Sequence, residues 1–161
     1  MLACKPVDTP MEMNHKLGET ENQTPTDKGC YQQLVGKLIY LSHTRPGIAY
    51  AVSVVSQFMH SLGEEHMEAV YWILRYLKSA PRRGLLFLKR EIQKIKGYAD
   101  SDWARNQTDR KSTSGYFMFI EGNLVTWRSK RQKVVTRSSA EANYRGMAQG
   151  VCELLWIKHV L

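Results

Sequence analysis

The sequence predicts an α+β protein in two parts, a helical stretch followed by a β-β-β-α stretch. Three observations carry that prediction. Apolar residues recur at helical spacing between residues 28 and 80. From residue 84 the pattern changes to short runs rich in β-branched and aromatic residues. A last apolar stripe of helical period then begins near Ser139 and is still running at Leu161.

Residues 1–27 are polar, contain Pro6, Pro10 and Pro25, and read as an extended arm or linker. The first helix is expected from about Lys28 to Leu41. A second starts at Pro46, a residue suited to a first helical position, and lines up Ile48, Ala51, Val52, Val55, Phe58 and Met59 on one face. Ser61-Leu62-Gly63-Glu64 has capping-box spacing and would open a third helix. Its buried stripe would be Met67, Val70, Tyr71, Leu74 and Leu77, with Pro81 and Gly84 ending it. These stripes read as core, not as a cofactor pocket.

GLLFLKR (84–90), KIKGYAD (94–100), SGYFMFI (114–120) and LVTWRSK (124–130) are candidate strands. The last two flank Glu121-Gly122-Asn123, a hairpin signal. Val134 to Thr136 is a candidate short strand. The final helix is expected to bury Tyr144, Met147, Ala148, Val151, Leu154 and Leu155. With no C-cap and no following strand, the chain is expected to be cut short.

A net charge of +8 points to a polyanionic partner, nucleic acid first. Three widely spaced cysteines, Cys4, Cys30 and Cys152, form no CxxC pair and read as reduced thiols in cytoplasm or nucleus. EEHMEAV supplies one histidine where HExxH needs two, which excludes that metalloprotease motif. The first residues lack the apolar run of a signal peptide, and nothing approaches a membrane span in length.

DKGCYQQLVGKLIYLSHTRPGIAYAVSVVSQFMH, HMEAVYWILRYLKSAPRRGLLF, YADSDWA, DRKSTSGY, NLVTWRSKRQKVV and RSSAEANYRGMA together resemble the Pol polyprotein of plant copia-type retrotransposons, over essentially the whole chain. The resemblance implies three regions: an arm at 1–27, the helical end of a reverse transcriptase, thumb- or connection-like, at 28–88, and a truncated RNase H-like half domain at 94–161. Short stand-alone proteins of this type also resemble a protein counted among oomycete secreted RxLR effectors, thought to suppress defence or cell death inside plant cells. Here the nearest string to RxLR is Arg75-Tyr76-Leu77-Lys78, inside a helix and far from the N-terminus.

RNase H chemistry needs four clustered carboxylates around two divalent metals. The resemblance places Asp100 at the family's first-strand acid. Asp102, two residues on, would share its strand face or be a solvated turn carboxylate. The family's helix pattern resembles SSxEAEY, and its second Glu best fits the metal-binding acid. That position is Asn143 here. Glu141 matches the first Glu, and Ser138-Ser139-Ala140-Glu141 has capping-box spacing. A register shifted by two would instead make Glu141 the metal ligand beside Asp100. The family's other two Asp fall past Leu161, Asp109 fits a loop, and Arg105 stands where the family usually has Gly. Catalysis is therefore not expected, with Mg²⁺ a cofactor only if a partner chain completes the site.

The basic run Arg128, Lys130, Arg131, Lys133 and Arg137, beside Trp127, implies weak binding to an RNA–DNA hybrid or other nucleic acid. The alternative is a solvated strand edge. Self-association is expected from exposed sheet edges. A host protein is the expected partner if the chain is a secreted effector.

Overall fold

The computed structural model describes residues 4–12, 15, 17–18, 26–79, 81, 84–89, 94–104 and 109–161. The chain divides into two compact units, Met1–Gly84 and Leu85–Leu161. It is an α+β protein with a helical first part, then a three-stranded antiparallel sheet and a C-terminal helix.

In the first unit, helix α1 (Lys28–Ser42) starts where the Asp27 side chain accepts from the Cys30 N–H at 3.0 Å. The helix expected from Pro46 is split. A 3₁₀ turn at Pro46–Ile48 leads into α2 (Ala49–Val55), and a second 3₁₀ turn follows at Ser56–Phe58. The Ser53 carbonyl accepts from both Ser56 Oγ and Gln57 Nε2, so side chains compete for the helical acceptor and the last turn tightens. Tyr31, Val35 and Leu38 of α1 and Ala51, Val52, Val54 and Val55 of α2 are buried. Tyr31 is fully buried and its hydroxyl donates to the Val55 carbonyl at 2.6 Å.

Helix α3 (Glu64–Ser79) begins at Glu64, so Ser61 is not its cap. Gly63 stands at the entry, and its N–H donates to His66 Nδ1 at 2.9 Å. Met67, Val70 and Ile73 complete the core, with Tyr71, Leu74 and Leu77 partly buried against it. The polar N-terminal residues lie along α3. Trp72 Nε1, Arg75 Nε and Lys78 Nζ donate to the carbonyls of Thr9, Lys5 and Cys4, and Met11 is buried.

The second unit is built on β1 (Ile95–Asp102), β2 (Thr113–Ile120) and β3 (Asn123–Arg131), in the order β1-β2-β3. The β2–β3 turn has positive φ at both Glu121 and Gly122, the signature of a tight type I′ hairpin. Asn123 is the first residue of β3, and its side chain pairs with the N–H and the C=O of Leu88. Helix α4 (Ser139–Val160) covers one face of the sheet.

Three expectations fail here. Gly84–Lys89 is not a strand, and Arg90 lies outside the described residues. The Leu88 backbone pairs with the Asn123 side chain, and Leu86 and Phe87 are exposed. An apolar run makes a strand only where another strand supplies a ladder. Val134 to Thr136 is not a strand either. The Thr136 carbonyl accepts from Trp103 Nε1, and its hydroxyl shares a hydrogen bond with Ser112. Finally, of the stripe expected to be buried on α4, only Leu154 packs against the sheet. Ala142, Gly146, Gly150 and Ile157 face the sheet, while Tyr144, Met147, Ala148, Val151 and Leu155 are exposed. The reason is approach distance. A Cβ on Gly146 would lie 2.3 Å from Ser101 Oγ, and one on Gly150 3.3 Å from the Ala99 Cβ. Only small residues let the helix sit this close to β1.

Candidate nucleic-acid interface and acidic residues

Pairing of β1 with β2 sets Asp100 opposite Gly115 and Asp102 opposite Thr113. Ala99 and Ser101 turn to α4, so strand alternation puts Asp100 and Asp102 on the other face. Both are exposed. Asp100 Oδ1 accepts from the Ser101 N–H at 2.8 Å.

Glu141 and Asn143 stand in the first turns of α4, on the helix that covers the opposite face. Glu141 is committed to capping. Ser138 Oγ accepts from the Glu141 N–H at 3.1 Å, and Glu141 Oε2 accepts from the Arg137 N–H at 2.9 Å. Glu141 Oε1 is held by Arg145 through Nε at 3.0 Å and Nη2 at 2.9 Å. The Arg137 backbone donor, followed by the Arg145 guanidinium, holds the Glu141 carboxyl below the usual carboxylate range. Asn143 is exposed and neutral.

Two divalent ions need several hard oxygen ligands converging on one point. Among the described residues no three His, Cys, Asp or Glu side chains are grouped that way. Glu141's oxygens are already shared with three donors. Arg105 lies outside the described residues.

The cations are differently arranged. Arg128 and Lys130 are exposed on β3, an edge strand, and Lys133 and Arg137 are exposed in the loop before α4. Arg131 pairs with Asp109 at 3.1 Å, and Lys111 meets the same carboxylate at 3.4 Å. Arg128 and Lys130 sit opposite Tyr116 and Ser114, on the helix-covered side, while Trp127 and Arg131 share the open side with Phe117 and Thr113. The cations therefore border the sheet along one edge instead of forming one flat patch. Burial and the Glu153 carboxylate push the Tyr116 hydroxyl up, and Arg128 opposes that.

Sequence reasoning missed the polar layer between sheet and helix. Gln132, 5% exposed, donates through Nε2 to Ser114 Oγ and to the Ala142 carbonyl. Ser114 shares a further hydrogen bond with Ser101. A glutamine inside a basic run reads as surface, and only the strand register turns it inward.

A helical unit followed by a three-stranded antiparallel sheet and a capped C-terminal helix defines an α+β protein. No family model matches the chain. It is 43% identical over all 161 residues to the retrovirus-related Pol polyprotein from transposon RE1 of Arabidopsis thaliana, covering 11% of that protein. It is 39% identical, again over its whole length, to the retrovirus-related Pol polyprotein from transposon TNT 1-94 of Nicotiana tabacum, covering 13% of it. It is 41% identical over 128 residues to a secreted RxLR effector protein of Plasmopara viticola, covering 79% of this chain and 90% of that protein. The chain is thus similar to one segment of the Pol polyproteins of plant copia-type retrotransposons. It spans about a tenth of the length of the transposon polyproteins it matches.

Proposed function

We propose that this chain is a retrotransposon Pol remnant that binds nucleic acid weakly and without sequence preference, and that it does not hydrolyse the RNA of an RNA–DNA hybrid. The observation that carries the reading is the contrast between its charges. The candidate acids are dispersed or used for capping, whereas Arg128, Lys130, Lys133 and Arg137 are exposed along one edge. Clustered cations gain affinity from phosphates by releasing condensed counterions, and that gain carries no sequence information.

The test is binding of the full chain to a hybrid and to unrelated duplexes across a salt series. Four phosphate contacts on a duplex predict a fall of roughly a hundredfold between about 50 and 200 mM salt. Alanine at Arg128, Lys130, Lys133 and Arg137 should flatten that slope. Arg131→Ala should matter less, because Asp109 already neutralises it. Affinity independent of salt sinks the binding half. Mg²⁺- or Mn²⁺-dependent hybrid cleavage that disappears in Asp100→Asn sinks the other half.

The effector-like relative supports a second reading, a secreted effector acting in plant host cells on a host protein. Arg75, Tyr76 and Leu77 are half-buried in α3, and Arg75 holds the Lys5 carbonyl, so this string is structural here. Expression in leaf cells challenged with a cell-death elicitor separates the readings. Suppression that survives alanine at the four cations favours the effector.

A further inference from the structure

His66 lies in the core of the first unit with no exposed surface. Its ring stacks on Phe58 at 4.1 Å between centroids, 24° from parallel. Its Nδ1 accepts the Gly63 N–H, three residues back at the entry of α3. This is the reciprocal half of a capping box, with histidine doing the work usually given to Glu or Gln. A backbone N–H can only donate, so Nδ1 must be unprotonated and the ring neutral.

We propose that His66 is an acid-sensitive latch on the entry of α3. Protonation would set one N–H against another, and would place a cation in the first turn of a helix, where the macrodipole opposes it. It would also bury a charge in an apolar core. Among the described residues, α2 offers this core Ala51, Val52, Val54 and Val55 with the partly buried phenol of Tyr50, and the turn after it offers Phe58. From α1 the titratable groups on this core are Tyr31, which burial keeps in its neutral form, and the partly buried thiol of Cys30. On α3 itself Glu64 and Glu65 flank His66 but are exposed, where solvent screens their attraction for an imidazolium. The folded site thus takes only the neutral ring, whereas the unfolded chain takes either form. The latch is fully present above the range where an ordinary imidazole titrates, near about pH 6.5, and is lost below it.

The test is residue-resolved amide exchange on the full chain at pH 7.5 and 5.0, corrected for intrinsic rates. Protection of the first turn of α3 should fall by about tenfold on acidification. His66→Gln supplies a non-titrating acceptor of similar reach, and its protection should change by less than about twofold. The same acid loss in that variant overturns the proposal, since His15, His43, His60 and His159 would then be its source. Should the variant fail to fold, the wild-type ring is followed by ¹⁵N NMR. A ring that stays neutral until the α3 amides open supports the latch. A doubly protonated ring with α3 still protected overturns it.

Discussion

At the scale of single residues, Gly146 is where the second unit is most exacting. Glycine in a helix interior ordinarily costs about 1 kcal/mol relative to alanine. Here the sign reverses, because an added Cβ meets Ser101 Oγ at 2.3 Å on a short side chain. Gly146→Ala should therefore destabilise by about 1–3 kcal/mol, as overpacking does. In a Ser101→Ala background the obstructing oxygen is gone, and the same change should be neutral or stabilising. Chemical denaturation of the four proteins of that cycle measures the coupling, and additive effects would show that the close approach is not what holds glycine there. The sequence made the Ser138 cap legible, since Ser138 accepts from the Glu141 N–H at the expected spacing, while the Glu141 carboxylate takes the Arg137 N–H in place of the Ser138 N–H of a full capping box. It did not make Gly146 or Gly150 legible. Their role depends on a strand some fifty residues earlier, and hydrophobicity alone pointed to the larger neighbours.

Among the elements, α4 shows most clearly what periodicity conveys and what it leaves open. Its apolar stripe was visible, but a helix can carry two faces, and the small-residue face won the sheet. Tyr144, Met147, Val151 and Leu155 therefore remain exposed, from 51% to 71%. At spacings of three and four these side chains lie along one side of the helix. Exposed apolar side chains grouped along one side of a helix favour association. We expect concentration-dependent self-association of the chain, reduced by Val151→Glu with Leu155→Lys. Sedimentation velocity over a hundredfold dilution series decides it, and a wild type that stays monomeric throughout refutes it. The three strands were legible because each alternates or is rich in β-formers and has a partner in register. Leu85–Leu88 was misread because an apolar run carries no information about whether a neighbouring strand exists.

For the whole molecule, the two units are unequally supported. Among the described residues the core of the first contains thirteen buried side chains and that of the second three, Tyr116, Met118 and Ile157. Each fully buried large apolar side chain is worth about 1.5–3 kcal/mol, so the inequality outweighs any plausible difference in capping. The second unit adds a buried polar layer around Gln132, Ser114, Ser112 and Thr136, which fixes its geometry but contributes little net stability per hydrogen bond. The two cores are separate clusters, so opening one does not empty the other. Unfolding of the full chain should therefore proceed in two steps. The sheet and α4 should open first, with α1 and α3 retaining their helical signal. Amide exchange across a urea series reads both units at once: β2 and α4 should lose protection at lower denaturant than Tyr31 to Leu38 and Met67 to Ile73. Tyr31→Phe, which strands the Val55 carbonyl in the first core, should cost about 1–3 kcal/mol and shift only the second step. A single transition coincident at every amide, moved as a whole by Tyr31→Phe, would mean that the chain folds as one cooperative body and that its two cores do not act apart.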